Sequence, residues 1–409
     1  MFKAKNINLL KKYAKLILKI GVNIQKGQTI FIKSFIENSF FVRIITEEAY
    51  LLGVKKVNVI WQDDDLHFLD LKYANFHEIK SNHIFLKKYF HYLIKEKAVY
   101  IYLISPFLSK EYNIDENNFF KFNLYQKKEF IFFDKYIKSS EIQWASVVLP
   151  NKKWAKIIFP KLSEKKALEK FYSILFDWLF INKNDENDAE FFKKWQKHIL
   201  KLSNFSTKLN NFNFKFLHFY NNIGTNFQIG LNKDHIWRGG FLNSKNNISF
   251  TPNLPTEEVL TVPDKYVCEG KIVATRPLNF QNKIIKDFWL EIKNGKIFNY
   301  NAKIGFDTLK HLINIDKYSC YIGEIAIVPY HFNFNNLNII FFETLLDENT
   351  SSHIAFGQSY PFTYSRRNSS INNSSIHVDI TFGSSDLKII GETREKKKIT
   401  IFEKGDFII

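Results

Sequence analysis

The sequence predicts an α/β N-terminal domain with a mainly parallel sheet, followed by a β-rich α+β C-terminal domain. Helical and apolar-strand patterns alternate over the first 185 or so residues, whereas short alternating runs separated by Gly, Asn, Asp or Pro take over beyond Asn204. The length of 409 residues also exceeds the roughly 250–300 at which a single core stops growing. The expected division is therefore 1–185 and 186–409.

Leu9, Leu10, Tyr13, Leu16, Ile17 and Ile20 recur at helical spacing with Lys between them, so the chain opens on an amphipathic helix. Gly27 precedes an apolar strand, Thr29 to Ile32. Arg43 to Leu52 reads as a helix ending at Gly53, and Lys56 to Trp61 as a strand ending in an acidic turn, Asp63-Asp64-Asp65. Further strands are expected at Ala98 to Ile104, stopped by Ser105-Pro106, and at Trp144 to Leu149, stopped by Pro150. No Gly-x-Gly-x-x-Gly opens a helix, so nothing marks a nucleotide binder. The polar stretch Asn182 to Asp188 is the expected boundary, with a helix carrying Phe191, Phe192, Trp195, His198 and Leu202 after it. Strands are then expected at Phe214–Tyr220, Asn226–Leu231, Lys271–Thr275, Phe288–Ile292, Glu324–Val328, Asn338–Phe342, His377–Phe382 and Lys398–Phe402. Asn368 to Ser375 reads as a loop.

Hydrophobic residues at 45% and aromatics at 17% exclude a disordered or fibrous chain. The net charge of +17 is mostly Lys, in a chain also rich in Asn, Ile and Phe, and reads as a solvated coat. Neither Lys161-Leu-Ser-Glu-Lys-Lys166 nor Arg394-Glu-Lys-Lys-Lys398 interleaves aromatics as a stacking surface does, so nucleic acid is not expected as a partner. Cys268 and Cys320 make no disulfide framework and lack zinc-site spacing, which fits a reducing cytoplasm. The longest apolar run, Ala98 to Leu108, is broken by Ser105-Pro106 and falls short of the ~20 residues of a membrane helix. Lysines interrupt the N-terminus, so neither a signal peptide nor a membrane is expected.

The last third collects carboxylates, imidazoles and a phenol: Thr256-Glu257-Glu258, Glu324, Glu343, Glu348, His353, Tyr360 and His377-x-Asp379. Such a set without thiolates points to metal-dependent hydrolysis. On a strand, His377 and Asp379 project to one face, the geometry of shared chelation. His353 ends a polar stretch that follows the apolar Ile339 to Phe342, as polar groups at a strand end do when they form a site. Two of the carboxylates have simpler readings too. Thr256 could cap a helix with Glu257 and Glu258 in its first turn, and Glu324, at the edge of an apolar strand, must be solvated, paired or metal-bound. His67, His77, His83, His91, His198, His218, His311 and His331 have no such company and are expected at the surface or in the core.

The segments Asn253-Leu-Pro-Thr-Glu-Glu-Val259, Gly323-Glu-Ile-Ala-Ile-Val-Pro329, Phe342-Glu-Thr-Leu-Leu-Asp-Glu-Asn-Thr-Ser-Ser-His353, Gly357-Gln-Ser-Tyr360 and Ser375-Ile-His-Val-Asp379 resemble, in order, the thermophilic-type metalloaminopeptidases. Lys26-Gly-Gln28, Glu48 to Gly53, Trp154-Ala155 and Trp237-Arg-Gly-Gly240 extend the likeness over most of the chain. The resemblance implies a two-metal site with Glu258, Glu324, His353, His377 and Asp379 as ligands and Glu348 as a further one. Glu257 and Glu343 would lie just outside them. It implies zinc or cobalt, with magnesium or manganese open, since imidazoles favour the first pair and carboxylates suit the second. A water between the ions would be the nucleophile, with Tyr360 donating to the oxyanion. Short peptides would be the substrates and a homodimer the assembly. Asn226, Thr381-Phe382-Gly383 and a short Tyr360–His377 segment depart from the family pattern.

Two other functions compete. A non-haem iron oxygenase uses two His and one carboxylate with open positions, which leaves Glu258 and Glu324 surplus. A degenerate basic binding protein would have lost ligands, and every one is present.

Overall fold

Leu9, Leu10, Tyr13, Ala14 and Leu16 bury one face of the opening helix, Ile7–Leu16, which ends in a π turn at Ile17–Gly21. This computed structural model describes residues 6–74, 76–106, 116–182, 188–281, 283–330 and 339–409. The chain divides into two units, Met1–Trp195 with Phe241–Pro255, and Gln196–Gly240 with Thr256–Ile409.

The first unit is built on a five-stranded sheet in the spatial order Asn253–Leu254, Trp144–Val148, Val99–Ile104, Thr29–Phe35, Lys56–Gln62. Every pairing in it is parallel. Thr29–Phe35, flanked on both sides, is almost continuously buried, as a strand covered by helices on both faces must be. Phe31 packs against Phe90, Tyr100 and Phe133. The acidic turn expected at Asp63–Asp65 is instead a helix start: Asp63 Oδ1 accepts from the Leu66 N–H at 3.1 Å and caps Asp64–Tyr73.

The second unit holds two antiparallel sheets. The larger runs through 278–280, 283–293, 263–273, 226–231, 216–220, 388–392, 398–403 and 406–407, with 296–304 paired to 283–293. The smaller runs His377–Thr381, His353–Gly357, Ile322–Ile327, Val259–Thr261, Arg238–Gly239. One core joins them, with Phe219, Phe227, Ile325, Ile354 and Ile380 all buried. No strand forms at Ile339–Phe342, and Asn338 lies outside the described residues. Side chains occupy this backbone in place of a partner strand: Arg276 donates to the Ile339 carbonyl at 2.7 Å, and the Phe341 N–H donates to Asp347 at 2.9 Å. Among the described residues no helix is long and apolar enough to cross a membrane.

Candidate metal centre

The smaller sheet sorts its residues by the two-residue period of a strand. Glu324, Ala355 and Asp379 are direct cross-strand partners, and so are Ala326, His353 and Thr381. His353 and Ala355 share a face, as do His377 and Asp379, so both imidazoles and two carboxylates emerge on one side. Ile325, Ile354, Phe356 and Ile380, on the alternate positions, go into the core. An irregularity between Ile322 and Glu324 sets the aim of the Glu324 side chain. A Cβ on Gly323 at this point would collide with the Gly357 carbonyl oxygen, which accounts for the glycine.

Two carboxylates arrive from outside these strands. Glu258 lies in extended chain just before Val259–Thr261, and no helix begins at Thr256, so the helix-capping alternative does not apply. Glu348 ends the short helix Thr344–Glu348. Asn349, fully buried, ties these two segments together. Its Oδ1 accepts from the Glu257 N–H at 2.7 Å and its Nδ2 donates to the Leu345 carbonyl at 2.9 Å.

Among the described residues three groups of potential ligand atoms result, each within 4.8 Å: Glu258, Glu324 and His353; Glu324, His377 and Asp379; and Glu348, His353 and Asp379. His353 Nε2 lies 3.4 Å from Glu258 Oε2 and 3.7 Å from Glu324 Oε1. His377 Nε2 lies 3.9 Å from Glu324 Oε2 and 3.3 Å from Asp379 Oδ1. Both rings are oriented from behind, His353 Nδ1 against the Ser351 carbonyl at 3.3 Å and His377 Nδ1 against the Gln358 carbonyl at 2.7 Å. A carbonyl only accepts, so each Nδ1 carries a proton and each Nε2 is turned to the cluster.

Burial alone would keep His353 neutral, but Glu258 and Glu324 outweigh it and hold its pKa well above the usual value. For His377, Asp379 outweighs burial in the same way and the pKa rises to about 9. Burial raises Glu324 and Glu348, while His377 holds Asp379 low against burial. Among the described residues, Glu324 Oε2, His353 Nε2 and Asp379 Oδ1 are buried without a hydrogen-bond partner. Four carboxylates around two imidazoles, Glu258, Glu324 and Asp379 buried and Glu348 half-buried, with orphaned lone pairs among them, are in deficit of positive charge, which fits divalent cations.

The profile of the thermophilic metalloproteases (M29) matches residues 6–407. The chain belongs to this family. It is similar to aminopeptidase AmpS of Bacillus subtilis (strain 168), 34% identical with 97% of this chain and 98% of that protein covered. It is also similar to aminopeptidase 2 of Geobacillus stearothermophilus, 31% identical with 97% of each covered. The solved structure of wild-type AmpT from Thermus thermophilus superposes with a TM-score of 0.90 at 26% identity, over 99% of this chain and 100% of that one.

In this metalloprotease Tyr360 stands beside the cluster, its ring 4.4 Å from that of His377 and stacked on Phe362 at 5.2 Å. Burial first, then Glu324 and Asp379, push its phenol well above the ordinary value. Glu343 lines a pocket with Arg276, Asp347, Glu348 and Asp379, and burial raises its carboxyl to about 7. Glu257 is buried, 3.6 Å from His198 Nε2, which also bonds the Thr256 carbonyl at 2.8 Å. His198, expected to be without such company, thus supports the segment that carries Glu258. A lone His on a helix gives no sequence signal for this, and neither does the tie made by Asn349. His218 pairs with Glu392 and His91 stacks on Phe132. His331 and the side chains of His77 and His83 lie outside the described residues.

Proposed function

We propose that this metalloprotease is an aminopeptidase that removes N-terminal residues from short peptides at a two-metal site. Glu258, Glu324, Glu348, His353, His377 and Asp379 would be the ligands. The carrying observation is Glu324, whose two oxygens face different imidazoles, Oε1 at 3.7 Å from His353 and Oε2 at 3.9 Å from His377. A carboxylate with each oxygen facing a different imidazole has the placement a bridging ligand needs. Two divalent ions held there would supply an acidified water and polarise the scissile carbonyl. The imidazoles favour zinc or cobalt, and the carboxylates leave magnesium or manganese open.

The chain's own groups do the rest. Tyr360 donates its phenolic proton to the oxyanion of the tetrahedral intermediate. Glu343, with a carboxyl near neutrality in the pocket shared with Glu348 and Asp379, takes up a proton and returns it to the leaving amine. A ligand carboxylate or the metal itself would be the partner of the substrate's free α-amino group. An oxygenase triad would use one carboxylate, and Glu258, Glu324 and Glu348 all stand within the ligand groups. The reading extends to a cytoplasmic homodimer, which two free buried cysteines and the family resemblance support.

Leucyl tripeptides with a free and an N-acetylated amine test the activity. Release of leucine from the first alone is expected, and equal cleavage of both would show an endopeptidase instead.

A further inference from the structure

The carboxyl ends of the first unit's parallel strands open onto a cavity of about 540 Å³, inside the roughly 300–1,000 Å³ range of small-molecule sites. Phe35 ends Thr29–Phe35, Ser105 follows Val99–Ile104 and Asn151 lies just beyond Trp144–Val148, and all three line it. Thr29–Phe35 pairs with Lys56–Gln62 on one side and Val99–Ile104 on the other. The strand order reverses there, and a crevice outside the strand ends at such a point is where open α/β sheets bind ligands.

The lining has an apolar part and a polar part. Phe35, Phe40, Leu168 and Tyr172 form the first. In the polar part Asn38 is 2% exposed and its Nδ2 has no hydrogen-bond partner among the described residues, so a buried donor lacks an acceptor. The helix Ser39–Leu51 starts beside it with no side chain capping its first turn, which adds the positive end of a helix dipole. Glu37, next to Asn38 in the chain, lines the cavity too, with Asp64 and Asp65, and lies near enough to Asp64 to act on its charge. Burial, then Glu37, Asp63 and Asp65, raise the Asp64 carboxyl to about 6, so a cation there would be stabilised. Glu164, Lys152 and Lys153 complete the charged lining, which is net acidic in a chain of net charge +17. A phosphorylated ligand does not suit such a lining.

We propose that this cavity binds a free α-amino acid with an apolar or aromatic side chain, its carboxylate at Asn38 Nδ2 and the start of helix Ser39–Leu51, its ammonium at Glu37 and Asp64. The side chain lies against Phe35, Phe40 and Leu168.

Calorimetric titration of the metal-stripped full-length protein with L-phenylalanine tests this. One saturable site is expected, with N-acetyl-L-phenylalanine and phenethylamine each weaker by about tenfold or more, since each lacks one charged contact. Asn38→Leu and the nearly isosteric Asp64→Asn should each weaken L-phenylalanine by a similar factor and leave peptide hydrolysis by the metal-loaded enzyme unchanged. Absence of saturable binding, or affinity unaltered in both variants, would overturn the proposal. Because no metal is present in the titration, either failure leaves the reading of the metal centre untouched.

Discussion

Glu324 and Asp379 stand two strands apart in one cross-strand row, with Ala355 between them. Ala355 is fully buried, so its methyl group sets the space that the two carboxylates share. Ala355→Leu puts a branched side chain into that space. Overpacking of this kind costs about 1–3 kcal/mol, and the variant should also lose most of its bound metal. Elemental analysis beside thermal melting checks this, and a variant that kept its full metal content would show that the row does not define the site.

Removing the phenolic hydroxyl of Tyr360 tests its proposed role as oxyanion donor. Tyr360→Phe keeps the ring stacked on Phe362 and beside His377. It should lower kcat by about 10²–10³ with little change in KM or metal content. Near-full kcat in this variant would make Tyr360 a packing residue.

Asn349 is the joint between the segments of Glu258 and Glu348. Asn349→Ala leaves the Glu257 N–H and the Leu345 carbonyl without their partners, at a cost of about 1–3 kcal/mol for each buried group. Metal affinity should fall by about 10–100-fold, as it does when the support of a ligand is removed. Competition with a chromogenic chelator measures it, and unchanged affinity would mean that Glu258 is held in place without Asn349.

Proton and metal should compete in a defined window. The folded pKa of His377 is raised from 6.5 to about 9, and that of His353 is raised as well. In the metal-stripped protein their stabilising contribution is full below pH 6.5 and is lost as pH rises through about 9. The raised carboxyls of Glu324 and Glu348 act in the same direction, whereas lowered Asp379 acts only in acid. Metal affinity should increase over the same interval, because each imidazole must release its proton to bind. Melting temperatures from pH 6 to 10, with and without zinc, check this. Metal-free stability that rose with pH would contradict the charge arrangement.

The clustering of carboxylates and imidazoles was legible because these residue types are chemically unusual together and because His377-x-Asp379 fixes one face of a strand from sequence alone. Asn226–Leu231 announced itself by alternation of Phe227, Ile229 and Leu231 with polar or small residues, and Trp144–Val148 by a buried-looking run stopped by Pro150. Asp63-Asp64-Asp65 misled because a capping aspartate and a turn aspartate are the same residue in a sequence, and only the Leu66 N–H distinguishes them. Ile339 to Phe342 misled because an apolar run does not reveal that side chains, not a neighbouring strand, bond its backbone. The supports made by Asn349, His198 and the Ser351 and Gln358 carbonyls bring together residues from separate segments, or backbone atoms with no residue-type signature.

The most direct measurement is titration of the metal-stripped enzyme with cobalt, following bound metal and release of N-terminal residues together, for wild type and Glu324→Gln. Two equivalents per chain should restore wild-type activity, and Glu324→Gln should bind cobalt far more weakly and remain inactive. Peptide hydrolysis that survives exhaustive chelation, or a Glu324→Gln variant that binds two equivalents as tightly as wild type, would contradict the two-metal site.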